Sequence, residues 1–263
     1  GNATSRHSAG RTARQAIEQA REQVAAAVGA YPSQVVFTGS GTEADNLAMH
    51  GIAAANGVEQ VLISAIEHPA ISRPAHALQW QGIKTGLIAA DNNGLIQPSA
   101  LETAIAEAGK PVGLVSVMLA NNETGVIQPI SELAEIARKH KAWMHTDAVQ
   151  ALGKIPVDFA ELNVHAMTLS SHKIHGPQGA GALILDKRVD IRPLIYGGGQ
   201  EKGLRSGSEN LAALVGFGMA AELSASGLPP RREHMEKLRA RLEQGLTELG
   251  AVIFGAHAPR LPN

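Results

Sequence analysis

The chain has 263 residues, 23 Lys and Arg against 24 Asp and Glu, a formal net charge of −1 and an apolar share of 44%. That balance excludes a nucleic-acid footprint, which needs a clustered basic face, and no apolar run approaches the ~20 residues that span a bilayer. Cysteine is absent, which excludes disulfides, thiolate metal sites and cysteine nucleophiles within the chain and suits a reducing compartment.

In chain order, an amphipathic helix is predicted over Thr12–Val28, followed by a strand at Val35–Gly39 and a helix at Glu43–Asn56. Further strands are predicted at Val61–Ile66, Lys84–Ala90, Leu114–Ala120, Trp143–Ala148, Ala166–Ser171 and Ala180–Leu185. Most are nearly continuous apolar runs, the pattern of strands covered on both faces. Helical patterns fall between them at Ala70–Gln81, Pro98–Ala108 and Ile130–Lys141; the second of these, opening on Pro98 and closing before Gly109, carries a start and a stop signal. No helix separates the last two strands, so they are expected to pair antiparallel through "HKIHGPQG".

This alternation predicts a three-layer α/β/α domain around a mostly parallel seven-stranded sheet. The large domain is assigned to residues 1–225, with a helix after Gly207 that runs to about Ser224. Residues 226–263 are assigned to the beginning of a small α+β domain: a "SGLPP" break, a charged helix and a strand "AVIFG". Gly1 in place of methionine and the closing "APRLPN" suggest that sequence is missing at both ends.

Ligands of such sheets bind at the carboxyl ends of the strands, and a chemically capable residue follows each of five strands. "TGSGTEADN" offers Gly41 and Thr42 at a helix start, either as a phosphate cup, as part of a dinucleotide turn, or as an ordinary cap. Asp147 in "HTDAVQ" either pairs with a cationic ring nitrogen or caps a helix. His68 in "EHPA" either lies over a planar ligand or caps the helix at Pro69. Asn122 and Gln150 either reach a ring oxygen or are turn residues. Lys173, beside Ser170 and His172, is either an exposed loop lysine or a partly desolvated nucleophile.

Taken together, these residues match the needs of one cofactor. Pyridoxal phosphate takes a lysine for its aldehyde, a carboxylate for its pyridinium nitrogen and a cup for its phosphate. A dinucleotide explains only the glycine turn.

At this point the chain resembles the cysteine desulfurase family, within the class-V aminotransferase group of fold-type I pyridoxal-phosphate enzymes. The matching stretches are "GNATSRHSAGRTA", "VVFTGSGTEADNLA", "SAIEHPAI", "NNETGVIQPI", "HTDAVQALGKIPVD", "SSHKIHGPQGAGAL" and "GGGQEKGLRSGSEN", in a single order. The resemblance implies that Lys173 carries the cofactor as an aldimine, that Asp147 pairs with its ring nitrogen and that His68 stacks on the ring and moves protons. It also implies a phosphate held by Gly41, Thr42, Ser170 and His172, with Gln150 at the phenolic oxygen and Asn122 at the ring edge. Ser208 would reach the phosphate of a partner subunit in a homodimer, with Arg205 near by. The implied reaction turns L-cysteine into L-alanine and an enzyme persulfide, supplying sulfur to an acceptor or scaffold protein in the cytoplasm for iron–sulfur clusters or thio-cofactors.

The chain departs from that pattern in having no cysteine to take the sulfur, so its own turnover is expected to be near background. Two further readings stand beside the first: another class-V aminotransferase, epimerase or lyase that needs no cysteine, and a non-catalytic relative that keeps the scaffold.

Overall fold

The computed structural model describes residues 2–263. Each of the seven strands predicted for the large domain is present: β1 (Val35–Thr38), β2 (Gln60–Ser64), β3 (Lys84–Ile88), β4 (Val112–Ser116), β5 (Trp143–Asp147), β6 (Ala166–Ser170) and β7 (Gly181–Leu185). They form one sheet in the order β1-β7-β6-β5-β4-β2-β3. The pairs from β3 through β6 are parallel, and β7 runs antiparallel to β6 and to β1, as the helix-free connection predicts. Burial explains the apolar runs: every residue of β1, β2, β6 and β7 is buried. β3 lies at the edge, so its lysine and Leu87 face solvent.

Helices cover both faces. α1 (Ser8–Ala26), α4 (Pro98–Ala106), α5 (Ile130–Lys139) and α6 (Leu211–Ser226) pack into the larger apolar cluster, where Ile17, Leu101, Leu133 and Phe217 meet one side of the sheet. α2 (Gly41–Ala55) and α3 (Pro69–Gln79) cover the other face through Leu47, Ile52, Ile71 and Leu78. The sheet is thus a rigid middle layer with its strand ends opening between α2, α3 and the turn after β6.

Two expectations are corrected beyond residue 225. The "SGLPP" break shrinks to Gly227, because Pro229 and Pro230 fall in the first turn of α7 (Leu228–Glu248), where a missing N–H costs nothing. α6 and α7 meet there at a 73° bend, and no single helix among the described residues is long and apolar enough to cross a membrane.

The "AVIFG" run forms no strand: Val252 and Phe254 are exposed, at 78% and 76%. The chain pairs slightly later, where Arg260 bridges Val126. There Ile127 N–H donates to Pro259 O at 2.8 Å and Leu261 N–H donates to Gly125 O at 2.8 Å. Leu261 is buried by that contact.

Candidate functional site

A cavity of about 250 Å³ lies at the carboxyl ends of β2, β4, β5 and β6, and nine of the ten sequence-assigned residues line it. Gly41 and Thr42 enter from the start of α2. Ser40 caps that helix, its Oγ accepting from Glu43 N–H at 3.1 Å. Capping therefore belongs to Ser40, and the first N–H groups of the helix, which have no acceptor within it, point outward with the Thr42 hydroxyl. Gly41 leaves little room for a side chain, since a Cβ there would stand 3.1 Å from both Ser170 Cβ and Val149 Cγ2. Ser170 is buried at the end of β6, and its Oγ is 3.0 Å from His172 Nδ1. Backbone donors, three side-chain donors and a glycine make this end of the cavity suited to an anion.

Asp147 ends β5 and is buried, with Oδ1 accepting from Val149 N–H at 2.8 Å. Burial pushes its carboxyl up to about 6, against the opposing pull of that hydrogen bond and of Lys173. A buried carboxyl so placed takes a cationic partner readily. His68 caps α3, its Nδ1 accepting from Ala70 N–H at 3.1 Å. That bond sets the proton of the neutral ring on Nε2. Burial and the Lys173 charge both lower the His68 pKa, so the ring is neutral at physiological pH.

Lys173 sits on the short 3₁₀ turn Ser171–Ile174 after β6, closed by His175 in the left-handed region at φ 65°. The sequence leaves it either an exposed loop lysine or a partly desolvated one; the structure leaves it exposed, because the turn projects beyond the sheet. Desolvation falls on a neighbour instead: burial first, then the Lys173 charge, lower the pKa of Lys154, which donates to Gln150 Oε1 at 2.6 Å. Asn122 is exposed at the mouth and donates to Glu123 Oε1 at 2.7 Å. Ser208 alone is not brought in. It is exposed on the loop from Gly197 to Glu209, which Arg205 ties to the first turn of α2 through Glu43 at 2.7 Å.

Three residues the sequence reading did not use lie just beneath this floor. Asp45 is buried on the inner side of α2, with Oδ1 unbonded and 3.7 Å from His145 Nε2. His145 is buried between Ser116 Oγ at 2.9 Å and Thr168 Oγ1 at 3.0 Å, and burial holds it neutral with a pKa of about 3. Glu67 has a buried carboxyl head whose Oε2 has no hydrogen-bond partner among the described residues. The signal for Asp45 was present in the sequence: a carboxylate on the apolar face of an otherwise buried helix.

The donor set fits pyridoxal phosphate. A cup of N–H and hydroxyl donors tightly packed around Gly41 suits the phosphate, a buried carboxyl without a salt-bridge partner among the described residues suits the ring nitrogen, and an exposed lysine shares their cavity.

The comparisons with known proteins agree with this arrangement. The profile of the family described as Aminotransferase class-V matches residues 1–263. The cysteine desulfurase IscS of Methanosarcina thermophila is 40% identical over all of this chain and 65% of its own length. A cysteine desulfurase of Bradyrhizobium diazoefficiens is 42% identical over all of this chain and 67% of its own length. The chain therefore spans about two thirds of such relatives. Among solved structures, a NifS-like protein superposes with a TM-score of 0.95 at 38% identity, covering all of this chain and 72% of that one. SspA, solved in complex with cysteine, gives 0.80 at 36% identity over 84% of this chain and 64% of its own. Enzymes of this family depend on pyridoxal phosphate. By the whole-length match and the shared fold, this chain belongs to the class-V aminotransferase family and, within it, to the cysteine desulfurases.

Proposed function

We propose that this chain is the pyridoxal-phosphate-binding part of a cysteine desulfurase, acting on L-cysteine in a pathway that passes its sulfur to an acceptor. The observation that carries the reading is the shared cavity of Asp147, Lys173 and the Thr42–Ser170–His172 donors.

When bound, the cofactor supplies an electron sink for the carbanion formed at the amino-acid α-carbon. The chain's own residues do the rest. Gly41, Thr42, Ser170 and His172 would hold the phosphate through their backbone and side-chain donors. Asp147 would pair with the cationic ring nitrogen. Lys173 would hold the cofactor and, as a free amine, would accept the α-proton at its Nζ. His68, neutral with its proton on Nε2, would offer a second place for a proton. Gln150 and Asn122 would serve the ring's oxygen edge. Sulfur transfer onto a protein thiolate has no residue in this chain, which contains no cysteine.

Three finer assignments go with this reading. Assembly as a homodimer is supported by Ser208, exposed on a loop pinned beside the phosphate cup. A cytoplasmic setting is supported by a cysteine-free composition, which suits a reducing compartment, and a role in iron–sulfur or thio-cofactor supply by the relatives' cysteine desulfurase character. Residues 226–263 are taken as the start of a second domain, supported by the exposed Leu238, Leu242 and Leu246 stripe of α7.

Addition of pyridoxal phosphate followed by L-cysteine tests the reading. A visible band should appear and then change with L-cysteine, while sulfide release stays near background. A band that responds to other amino acids and ignores cysteine overturns the substrate.

A further inference from the structure

Glu67 directly precedes His68, and the mechanism above does not use it. Its Oε1 accepts from Ser64 Oγ at 2.6 Å, at the end of β2, and from Met118 N–H at 2.8 Å, just past β4. A neighbouring tie runs from Asn121 Nδ2 to Ile66 O at 3.0 Å. The turn that presents His68 is therefore fastened to the segment after β4, and β4 pairs directly with the strand that ends in Asp147.

The other oxygen, Oε2, is buried without a hydrogen-bond partner among the described residues. The ionisable groups acting on this carboxyl cluster are its own members, Asp147 on β5 and Asp45 on α2, with Lys173 entering through Asp147 and the neutral His145 of β5 standing 3.7 Å from Asp45. Three carboxylates so close, in so dry a place, do not all ionise. Burial first, then repulsion from Asp147, raises the Glu67 pKa to about 8, and burial and Asp147 raise that of Asp45 as well. An unpartnered hydroxyl in such a place costs far less than an unpartnered charge.

We propose that Glu67 is a positioning residue that works as a neutral acid, holding the His68 turn against β4 while Asp147 remains the one carboxylate turned to a cationic ring. The inference rests on the pyridoxal phosphate reading. It adds that the acid beside His68 serves by keeping its proton.

Two variants and two measurements test it. Glu67→Gln keeps an oxygen for both accepted bonds and carries no charge; Glu67→Ala removes both bonds. Titration with pyridoxal phosphate, followed in the visible, should show Glu67→Ala weakened about tenfold, the scale of a lost buried hydrogen-bond pair. Glu67→Gln should stay within about threefold of the wild type on the same scale.

The melting temperature of the cofactor-free protein is then compared at about pH 6 and about pH 9. The folded wild type keeps a proton through about pH 8 that the unfolded chain releases near 4.5, so stability present in acid is lost as pH rises. Glu67→Gln lacks that loss, and its melting temperature should fall less over the interval. Binding by Glu67→Ala equal to the wild type overturns the positioning role. Equal falls in melting temperature, or a Glu67→Gln as weak in binding as Glu67→Ala, overturn the neutral acid. Should Glu67→Ala not fold, Glu67→Gln decides by both readouts. A wild type with no visible band overturns the cofactor reading, and this inference with it.

Discussion

Gly181, the first residue of β7, lies against the Ser40–Gly41 peptide: a Cβ built on it would stand 2.4 Å from Ser40 C, 2.6 Å from its O and 2.7 Å from Gly41 N. These are backbone atoms, so no rotamer change relieves the contact. β7 pairs with β1 so that Gly181 sits opposite Thr38, and it thereby sets the depth of the turn from which α2 begins. Gly181→Ala must push that turn outward and move the Gly41 and Thr42 donors. Affinity for pyridoxal phosphate should fall by about tenfold or more, since small displacements of binding groups are costly. Competition by inorganic phosphate should weaken in parallel, with the far-ultraviolet dichroism retained. Unchanged affinity would show that this turn is not the anion end of the site.

Lys173 makes no hydrogen bond among the described residues and is exposed, so removing it leaves no buried group orphaned. Lys173→Ala should change stability by no more than about 0.5 kcal/mol. The visible band formed with pyridoxal phosphate should nevertheless vanish. Lys154 is the control, because it is the other amine near by and is held by Gln150. Lys154→Ala should keep the band. The opposite result would move the covalent role from Lys173 to Lys154.

Most of the fold and most of the cavity were legible in the sequence, and for the same reason. A strand buried on both faces reads as an apolar run, so a polar residue at its end stands out; Asp147, His68, Ser170 and Lys173 were all found that way. "AVIFG" is an equally apolar run and makes no strand, because pairing depends on an edge supplied from elsewhere in the chain. Glu67 was hidden by distance: the N–H that it binds belongs to Met118, 51 residues on. Asp45 is legible as a carboxylate on the apolar face of α2, but the neighbours that act on it, Asp147 and His145, lie on β5, far along the chain. The apolar flanks of Lys173 leave its exposure open in the sequence; the turn after β6 carries it outward. Ser208 lies on a loop whose course is set by ion pairs to α1 and α2, which no local pattern reveals.

Asp147 sets the demands of binding against those of folding. Its carboxyl is pushed up to about 6 by burial, above its unfolded value, so the cofactor-free protein loses stability as pH rises from about 4 through about 6. Replacing the carboxylate by a neutral amide removes that cost. Asp147→Asn should therefore melt a few degrees higher than the wild type at about pH 8 without cofactor, a gain on the order of 1–3 kcal/mol. The same variant should bind pyridoxal phosphate at least about tenfold more weakly, because the cationic ring loses its partner. A cofactor-free Asp147→Asn that is less stable than the wild type at that pH would show that the carboxylate has a partner in the free protein.

Arg21 and Glu201 form the best-buried ion pair of the molecule's periphery, with side chains 7% and 4% exposed. The guanidinium reaches both Glu201 oxygens at 2.7 Å and Val35 O at 3.0 Å, and stacks over Phe37 at 4.8 Å. Glu201 in turn accepts from Phe37 N–H at 2.8 Å. The pair anchors a loop in which Glu201 and Lys202 both occupy the left-handed region, at φ 48° and 59°. Two adjacent non-glycine residues in that region cost about 1–2 kcal/mol each and persist only when held from outside. Arg21→Ala leaves Glu201 buried and unpaired, a loss on the order of 3–5 kcal/mol, with a fall of roughly ten degrees in melting temperature. Hydrogen exchange should rise from Gly199 to Ser208 first, since that stretch loses its anchor. The double variant Arg21→Met with Glu201→Leu should recover part of the stability, because neither charge then remains buried. Recovery will be incomplete, as Val35 O and Phe37 N–H each lose a partner. Additive losses in the double variant would show that the two residues act separately, and that the loop carrying Ser208 is held by other contacts.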